Sequence, residues 1–270
     1  MKKICIIFSN DILLDSVKYI SDNISLTYEV YYIYVSQENK FYIVKNPYLI
    51  DNKYEVTNLL ELKKYDIIFP IINKPIKGLL EILNIKYIGS NLKNDIICSD
   101  KVLFKDLMKS YKIKQIKYIT VYKEDKYQKV KKRIKYKLGY PCYIKTNNIK
   151  YKIKDENNLK KILEKAFIYD NKLVIEKNMI GEKHEIFMLN KNILNNYNKK
   201  INKISKLICN KLDNNELIYI SFIITKHKKI YLNEIFTTQV YNKLYKYTSL
   251  INNEDISYID TINQLISKKI

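Results

Sequence analysis

Two apolar runs limit most strongly what this chain can become. Ile4-Cys5-Ile6-Ile7-Phe8 has no polar side, and Tyr65–Ile72 is apolar beyond Asp66 near its start. A strand with no polar alternation is buried on both faces, which is the habit of parallel sheets covered by helices. The segments between the two runs fit that arrangement. Asp15–Ile24 has apolar positions at helical spacing, Thr27–Val35 alternates as a strand, and Phe41–Val44 is a short strand or hairpin arm. Pro75–Leu83 reads as a helix with proline near its first turn, and Lys86–Ser90 as a short strand ending at a glycine. This β-α-β order predicts a small parallel α/β domain over residues 1–92.

Beyond it the pattern turns to α+β, with two units expected at 93–174 and 175–270. Helices are expected over Asp100–Tyr111, Asp125–Leu138 (ending at Gly139), Asp155–Tyr169 with Asp155 as N-cap, and Asn195–Leu212. Strands are expected over Lys117–Tyr122, Pro141–Thr146, Lys172–Glu176 and His184–Leu189, with a hairpin of Glu216–Thr225 and Lys229–Ile235. Helices near Asn242–Ile251 and Ser257–Lys268 close the chain. Asn190–Lys203 is a polar loop entering a helix.

The net charge of +21 raises the question of nucleic acid. Arg133 is the sole arginine, and the lysines spread over the whole chain. Base readout and phosphate clamping favour the planar guanidinium, so no specific nucleic-acid partner is expected. An A/T-biased genome accounts better for a chain rich in Lys, Asn, Ile and Tyr. Cys5, Cys98, Cys142 and Cys209 lack paired spacing and read as buried thiols in a reducing cytoplasm. No apolar run reaches the length of a membrane span. Lys2 and Lys3 before a short apolar run imitate a secretion signal, but Ser9-Asn10-Asp11 follows without a small-residue cleavage site, so a first strand is the better reading.

Lys229-Ile230-Tyr231-Leu232 is an apolar β-type run that delivers the carboxylate Glu234 to its end. Tyr231-Leu232-Asn233-Glu234-Ile235-Phe236-Thr237 resembles the L-N-E-I-N-T segment of D-alanine–D-alanine ligases. Further words occur in the same order. Lys77–Ser90 is similar to Q-G-L-L-E-L-L-N-I-P-Y-V-G-S, and Ser99-Asp100-Lys101 with Lys105 to an M-D-K helix start. Leu138-Gly139-Tyr140-Pro141 with Ile144-Lys145 is similar to L-G-Y-P-x-x-V-K-P. The fold implied is a small N-terminal parallel α/β domain followed by a two-lobed ATP-grasp fold.

The resemblance also implies roles. Lys101 and Lys145 match phosphate-contacting lysines, and lysine serves phosphate as a mobile point charge. Glu176, Lys177 and Met179 match the hinge that meets adenine, although Met179 reads equally well as core packing. The ribose-binding glutamate falls near Lys183, with Glu182 or Glu185 as substitutes, although a solvated face also explains all three. Glu234 matches a Mg²⁺ ligand. Asp15 lies about where a glutamate binds the substrate amine, but also reads as a capping or solvent-facing residue. His184 and His227 read as packed or solvated side chains. The Lys243–Tyr247 interleaving reads as an amphipathic helix more readily than as an RNA-stacking surface.

Several positions depart from the pattern. Ser221 stands where the family has a metal-binding Asp, Phe236 where it has a metal-binding Asn, and Tyr219 where it has an arginine. Ser9–Ile12 lacks the first loop's glycines, Ile72–Pro75 shortens a second loop, and Asn148–Lys152 shortens a third. Gln239-Val240 replaces Pro-Gly, and the Leu189–Tyr219 interval is short for a lid. The expected function is therefore ATP-dependent D-alanine–D-alanine ligation in cytoplasmic peptidoglycan-precursor synthesis, through an acyl phosphate and with weakened Mg²⁺ binding and impaired activity. A non-catalytic remnant or scaffold and a lysine-rich RNA binder are the alternatives. The family often dimerises, which allows a homodimer.

Overall fold

The structure is a computed structural model that describes residues 1–9, 14–51, 53–72, 74–145, 150–195, 198–237, 241 and 258–269. The two apolar runs lie side by side, as their composition requires. β1 (Lys3–Phe8) pairs in parallel with β2 (Glu29–Val35) on one edge and with β5 (Ile67–Ile71) on the other. β3 (Phe41–Val44) and β4 (Lys53–Glu55) extend the sheet antiparallel, giving the order β4-β3-β2-β1-β5. Helix α1 (Leu14–Ile24) follows β1.

The two faces of β1 sort its residues with period two. Ile4, Ile6 and Phe8 pack with Val17, Ile20 and Ile24 of α1. Cys5 and Ile7 face a second cluster with Leu62, from the 3₁₀ turn Leu59–Lys64, and with Leu80 of α2 (Ile76–Ile82). The expected strand Lys86–Ser90 contributes a single parallel bridge, Ile68 to Tyr87.

After α3 (Leu92–Ser99) and α4 (Lys101–Ser110), a second sheet takes the order β6-β9-β7-β8, every neighbour antiparallel. Its strands are β6 (Tyr118–Tyr122), β7 (Cys142–Lys145), β8 (Lys150–Ile153) and β9 (Lys172–Lys177). Helices α5 (Tyr127–Lys137) and α6 (Leu159–Ala166) cover it, packing Val130, Ile134, Leu159 and Leu163 onto Ile119, Ile144 and Ile175. The expected division at 174/175 falls inside β9.

The third sheet, β11-β10-β12-β13, is built from β10 (Glu182–Leu189), β11 (Asn192–Ile193), β12 (Ile218–Ile224) and β13 (Ile230–Phe236). One face carries Ile186, Met188, Ile218, Ile220, Phe222, Leu232 and Ile235, which pack on α4 and α7 (Lys199–Leu212). On the opposite face Phe187 and Tyr219 join the core of the first sheet, which α8 (Tyr258–Ser267) closes with Ile262, Leu265 and Ile266.

Some expectations shift for local reasons. α6 starts at Leu159, because Asp155 spends its carboxylate on the N–H groups of Asn157 and Asn158 in the preceding turn. α7 starts at Lys199 behind the capping side chain of Asn198, while Asn195 ties the backbone of β10 at Phe187 and Glu185. The expected helix Asn242–Ile251 lies outside the described residues. All four cysteines are buried free thiols, and burial pushes Cys98, Cys142 and Cys209 up to about 12. Among the described residues no helix is long and apolar enough to cross a membrane.

Candidate functional site

The face of the third sheet opposite α4 and α7 carries the chemistry. Cross-strand register places Glu185 beside Ser221, and Ser221 beside Glu234. A β-bulge in β13 interrupts the pairing between Ser221 and Phe222, so Phe222 pairs with Leu232 and Asn233 is the extra residue. Leu232 and Ile235 consequently both face the helices, and Asn233 and Glu234 both turn to the other side.

Lys145, at the end of β7, reaches this row from the second sheet. Its Nζ lies 2.9 Å from Asn233 Oδ1, 3.4 Å from Glu234 Oε1 and 2.7 Å from Glu176 Oε2. Burial pulls the Lys145 ammonium down, but the two carboxylates outweigh it and hold the group above the ordinary lysine value. Glu176, in β9, also meets Lys105 from α4 through its other oxygen. Burial alone would raise Glu176, and the Lys105 and Lys145 charges more than reverse that. Lys105 itself is held below its ordinary value by burial, which Glu176 only partly offsets.

Lys101 opens α4 behind Asp100, whose carboxylate accepts from the N–H groups of Val102 and Leu103 at 3.0 Å each and pairs with Lys172 of β9. The Lys101 Nζ sits 4.8 Å above the centre of the Phe236 ring, and Phe236 in turn stacks on Tyr219 at 5.6 Å. Burial depresses Lys101, while Glu234 pulls the other way. Glu185 accepts from the Tyr219 hydroxyl and from Lys183 Nζ, and burial and Glu185 together push the phenol upward. Lys150, exposed at the start of β8, is lowered by partial desolvation and by Lys145.

The structure therefore brings Lys101, Lys145, Glu176, Glu185 and Glu234 to one junction between two sheets. Lys177 and Met179 continue from Glu176 at its rim: Lys177 is exposed, with its backbone N–H given to Lys117 O, and Met179 is half-buried beside the exposed Ile180. Asp15 lies elsewhere, in the first turn of α1, where its carboxylate accepts from Tyr48 at 2.6 Å. Glu182 at the mouth of β10 lies 3.4 Å from His184 Nε2. Sequence reasoning gave no role to Asn233, Lys105, Lys150 or Lys183. For Lys105 the signal was its place four residues after Lys101 on one helix face. For Asn233 there was none, since strict alternation puts it opposite Glu234.

Four lysines (101, 105, 145 and 183) face three glutamates (176, 185 and 234), leaving an excess of one positive charge, with the exposed Lys150 on the neighbouring strand. Such a cleft suits a polyanion. Among the described residues no group of three or more His, Cys, Asp or Glu side chains is placed to hold a metal ion.

Comparison with known proteins reaches the same place. Residues 107–195 match the family described as D-ala D-ala ligase C-terminus. The chain is 26% identical to D-alanine–D-alanine ligase of Bacillus cytotoxicus over 259 residues, covering 74% of this chain and 69% of that protein. VanG D-Ala:D-Ser ligase of Enterococcus faecalis superposes with a TM-score of 0.81 at 17% identity, covering 100% and 99% of the two chains. D-alanine–D-alanine ligase of Bacillus anthracis complexed with ATP gives 0.74 at 19% identity, covering 100% and 97%. Those structures share the fold, and the family match spans β7, β9 and β10 of the junction. The chain thus has the fold of D-alanine–D-alanine ligases and is similar to them in sequence, most clearly over residues 107–195.

Proposed function

We propose that this chain is an ATP-dependent carboxylate–amine ligase that joins two D-alanine molecules in cytoplasmic peptidoglycan-precursor synthesis. The observation that carries the reading is the cationic junction itself, where Lys101 and Lys145 converge on the Glu234 row between two sheets. On this reading the γ-phosphoryl group moves to the carboxylate of one D-alanine, releasing ADP. The amine of the second then attacks that acyl phosphate, the C–N bond forms, the C–O bond to phosphate breaks, and inorganic phosphate leaves. Lys101 and Lys145 hold the phosphates as point charges, and Glu176–Met179 border the adenine. Glu185 is the ribose-side candidate, although its bonds to Tyr219 and Lys183 draw it toward the Glu234 row.

Mg²⁺ fits these residues poorly. The ion needs several oxygen ligands in octahedral array. Here the Ser221 hydroxyl accepts from Asn233 Nδ2 at 3.0 Å, and Asn233 Oδ1 accepts from Lys145. Among the described residues Glu234 is the one carboxylate at the Mg²⁺ position. That same feature favours the second reading, a ligase-like protein with impaired or absent turnover. The reading needs no nucleic-acid or membrane partner, and a homodimer is the assembly to test by sedimentation.

The deciding measurement is ADP and phosphate release with ATP and D-alanine. D-alanine-dependent release that disappears in Glu234→Gln supports the ligase. Thermal stabilisation by ATP without any release supports the second reading.

A further inference from the structure

We propose that the nucleotide held at this junction is the free, metal-less polyphosphate, with lysine ammonium groups supplying the positive charge that a divalent ion would bring. The inference rests on the nucleotide reading above and narrows it to one ionic form of the ligand.

Three observations carry it. First, the oxygens of the row already meet protein donors, Glu234 through one of its two oxygens. Ser221 is fully buried and accepts from Asn233, and both Asn233 and Glu234 accept from Lys145. Second, the position at the end of the row is an aromatic ring. Phe236 has no oxygen to offer, is stacked on Tyr219, and presents its face to the Lys101 ammonium at 4.8 Å. A ring face attracts a cation through its quadrupole, so Phe236 steadies an ammonium group where it cannot bind Mg²⁺. Third, the cleft already carries more positive than negative charge, with Lys183 adding to Lys101, Lys105 and Lys145 against Glu176, Glu185 and Glu234. A divalent cation entering there meets like charge, whereas a bare polyphosphate meets opposite charge. A metal-bound nucleotide has lost part of the charge that these lysines recognise.

The test is calorimetric titration of the full chain with ATP, once with excess Mg²⁺ and once with EDTA. The expected dissociation constant in EDTA is equal to that in Mg²⁺ or tighter, within about threefold. Lys101→Met should weaken metal-free binding by about tenfold, as expected for loss of one charge-assisted phosphate contact. Binding that tightens tenfold or more on adding Mg²⁺ overturns this inference and leaves the nucleotide reading standing. Failure to bind in either condition overturns the nucleotide reading, and this inference with it. Phe236→Asn supplies a second check that does not disturb the buried Ser221. It should make binding respond to Mg²⁺, and an unchanged response overturns the role given to the ring.

Discussion

Glu176 holds two buried ammonium groups at once. Its carboxylate is buried between Lys105 and Lys145, so removing the charge leaves two buried ammonium groups facing each other. Breaking such a cluster by deleting one partner typically costs about 3–5 kcal/mol. Glu176→Gln should therefore lower the urea midpoint substantially at neutral pH. A midpoint within error of the parent protein would show that the lysines relax into water. The pH dependence has a definite sign. The Glu176 carboxyl is held below its ordinary value of 4.5, so its contribution is complete above that value and fades as pH falls through the lower, folded-state value. The gap between parent and Glu176→Gln should thus be widest near neutral pH and close below pH 4.5. Sequence alone pointed to Glu176 only as part of the hinge. Its partners Lys105 and Lys145 lie 71 and 31 residues earlier, on a helix and on the neighbouring strand of the same sheet, and no local pattern reports contacts made at that range.

At the level of elements, legibility followed burial. β1 and β5 were readable because both faces are apolar, and β10 and β12 because each contains an apolar run buried on both faces. β4 has three exposed residues, and β8 buries only Ile153, so neither has a hydrophobic period to detect. α3 buries only Asn94 and Cys98, and its start is set by the Asn91 cap, a polar signal easily taken for a turn. The bulge in β13 was likewise invisible, yet it decides which side chains share the site. Two glycines mark joints between elements for opposite reasons. At Gly181, where β9 passes to β10, an added Cβ would lie 2.4 Å from the Ile224 carbonyl oxygen and 2.7 Å from Ile223 Cγ2. At Gly139, after α5, φ is +73° and nothing lies within 4 Å of an added Cβ. Gly181→Ala should cost about 1–3 kcal/mol through collision with β12. Gly139→Ala should cost about 1–2 kcal/mol through the left-handed backbone alone. Asparagine tells the two causes apart, since it tolerates the left-handed region but is larger. By urea unfolding, Gly139→Asn should be milder than its alanine variant and Gly181→Asn harsher. The reverse order at either joint would refute the cause assigned there.

Across the whole molecule, one core ties the distal end of the described chain to its beginning and to the site. Ile262, Leu265 and Ile266 of α8 share a cluster with Ile4, Ile6 and Phe8 of β1, with α1, and with Phe187 and Tyr219 of the third sheet. Tyr219 is the back wall of the junction: it stacks on Phe236, donates to Glu185 and sits one row from Ser221 and Glu234. The order of elements was legible in sequence, but this sharing was not, because the period of α8 shows only that one face is buried. The sharing makes the first and third sheets dependent on the same side chains. Leu265 is fully buried, and Leu265→Ala should cost about 2–5 kcal/mol, depending on how far α8 settles into the gap. That is a large part of the ~5–15 kcal/mol that holds a typical domain together. Because the core is common, amide-exchange protection should fall in β1 and in β12 by similar amounts. The second sheet, packed on its own cluster under α5 and α6, should keep its protection if it opens independently. Loss of protection in β1 with β12 unchanged would mean that the N-terminal sheet and the site unfold as separate units, and that Tyr219 is held by the third sheet alone.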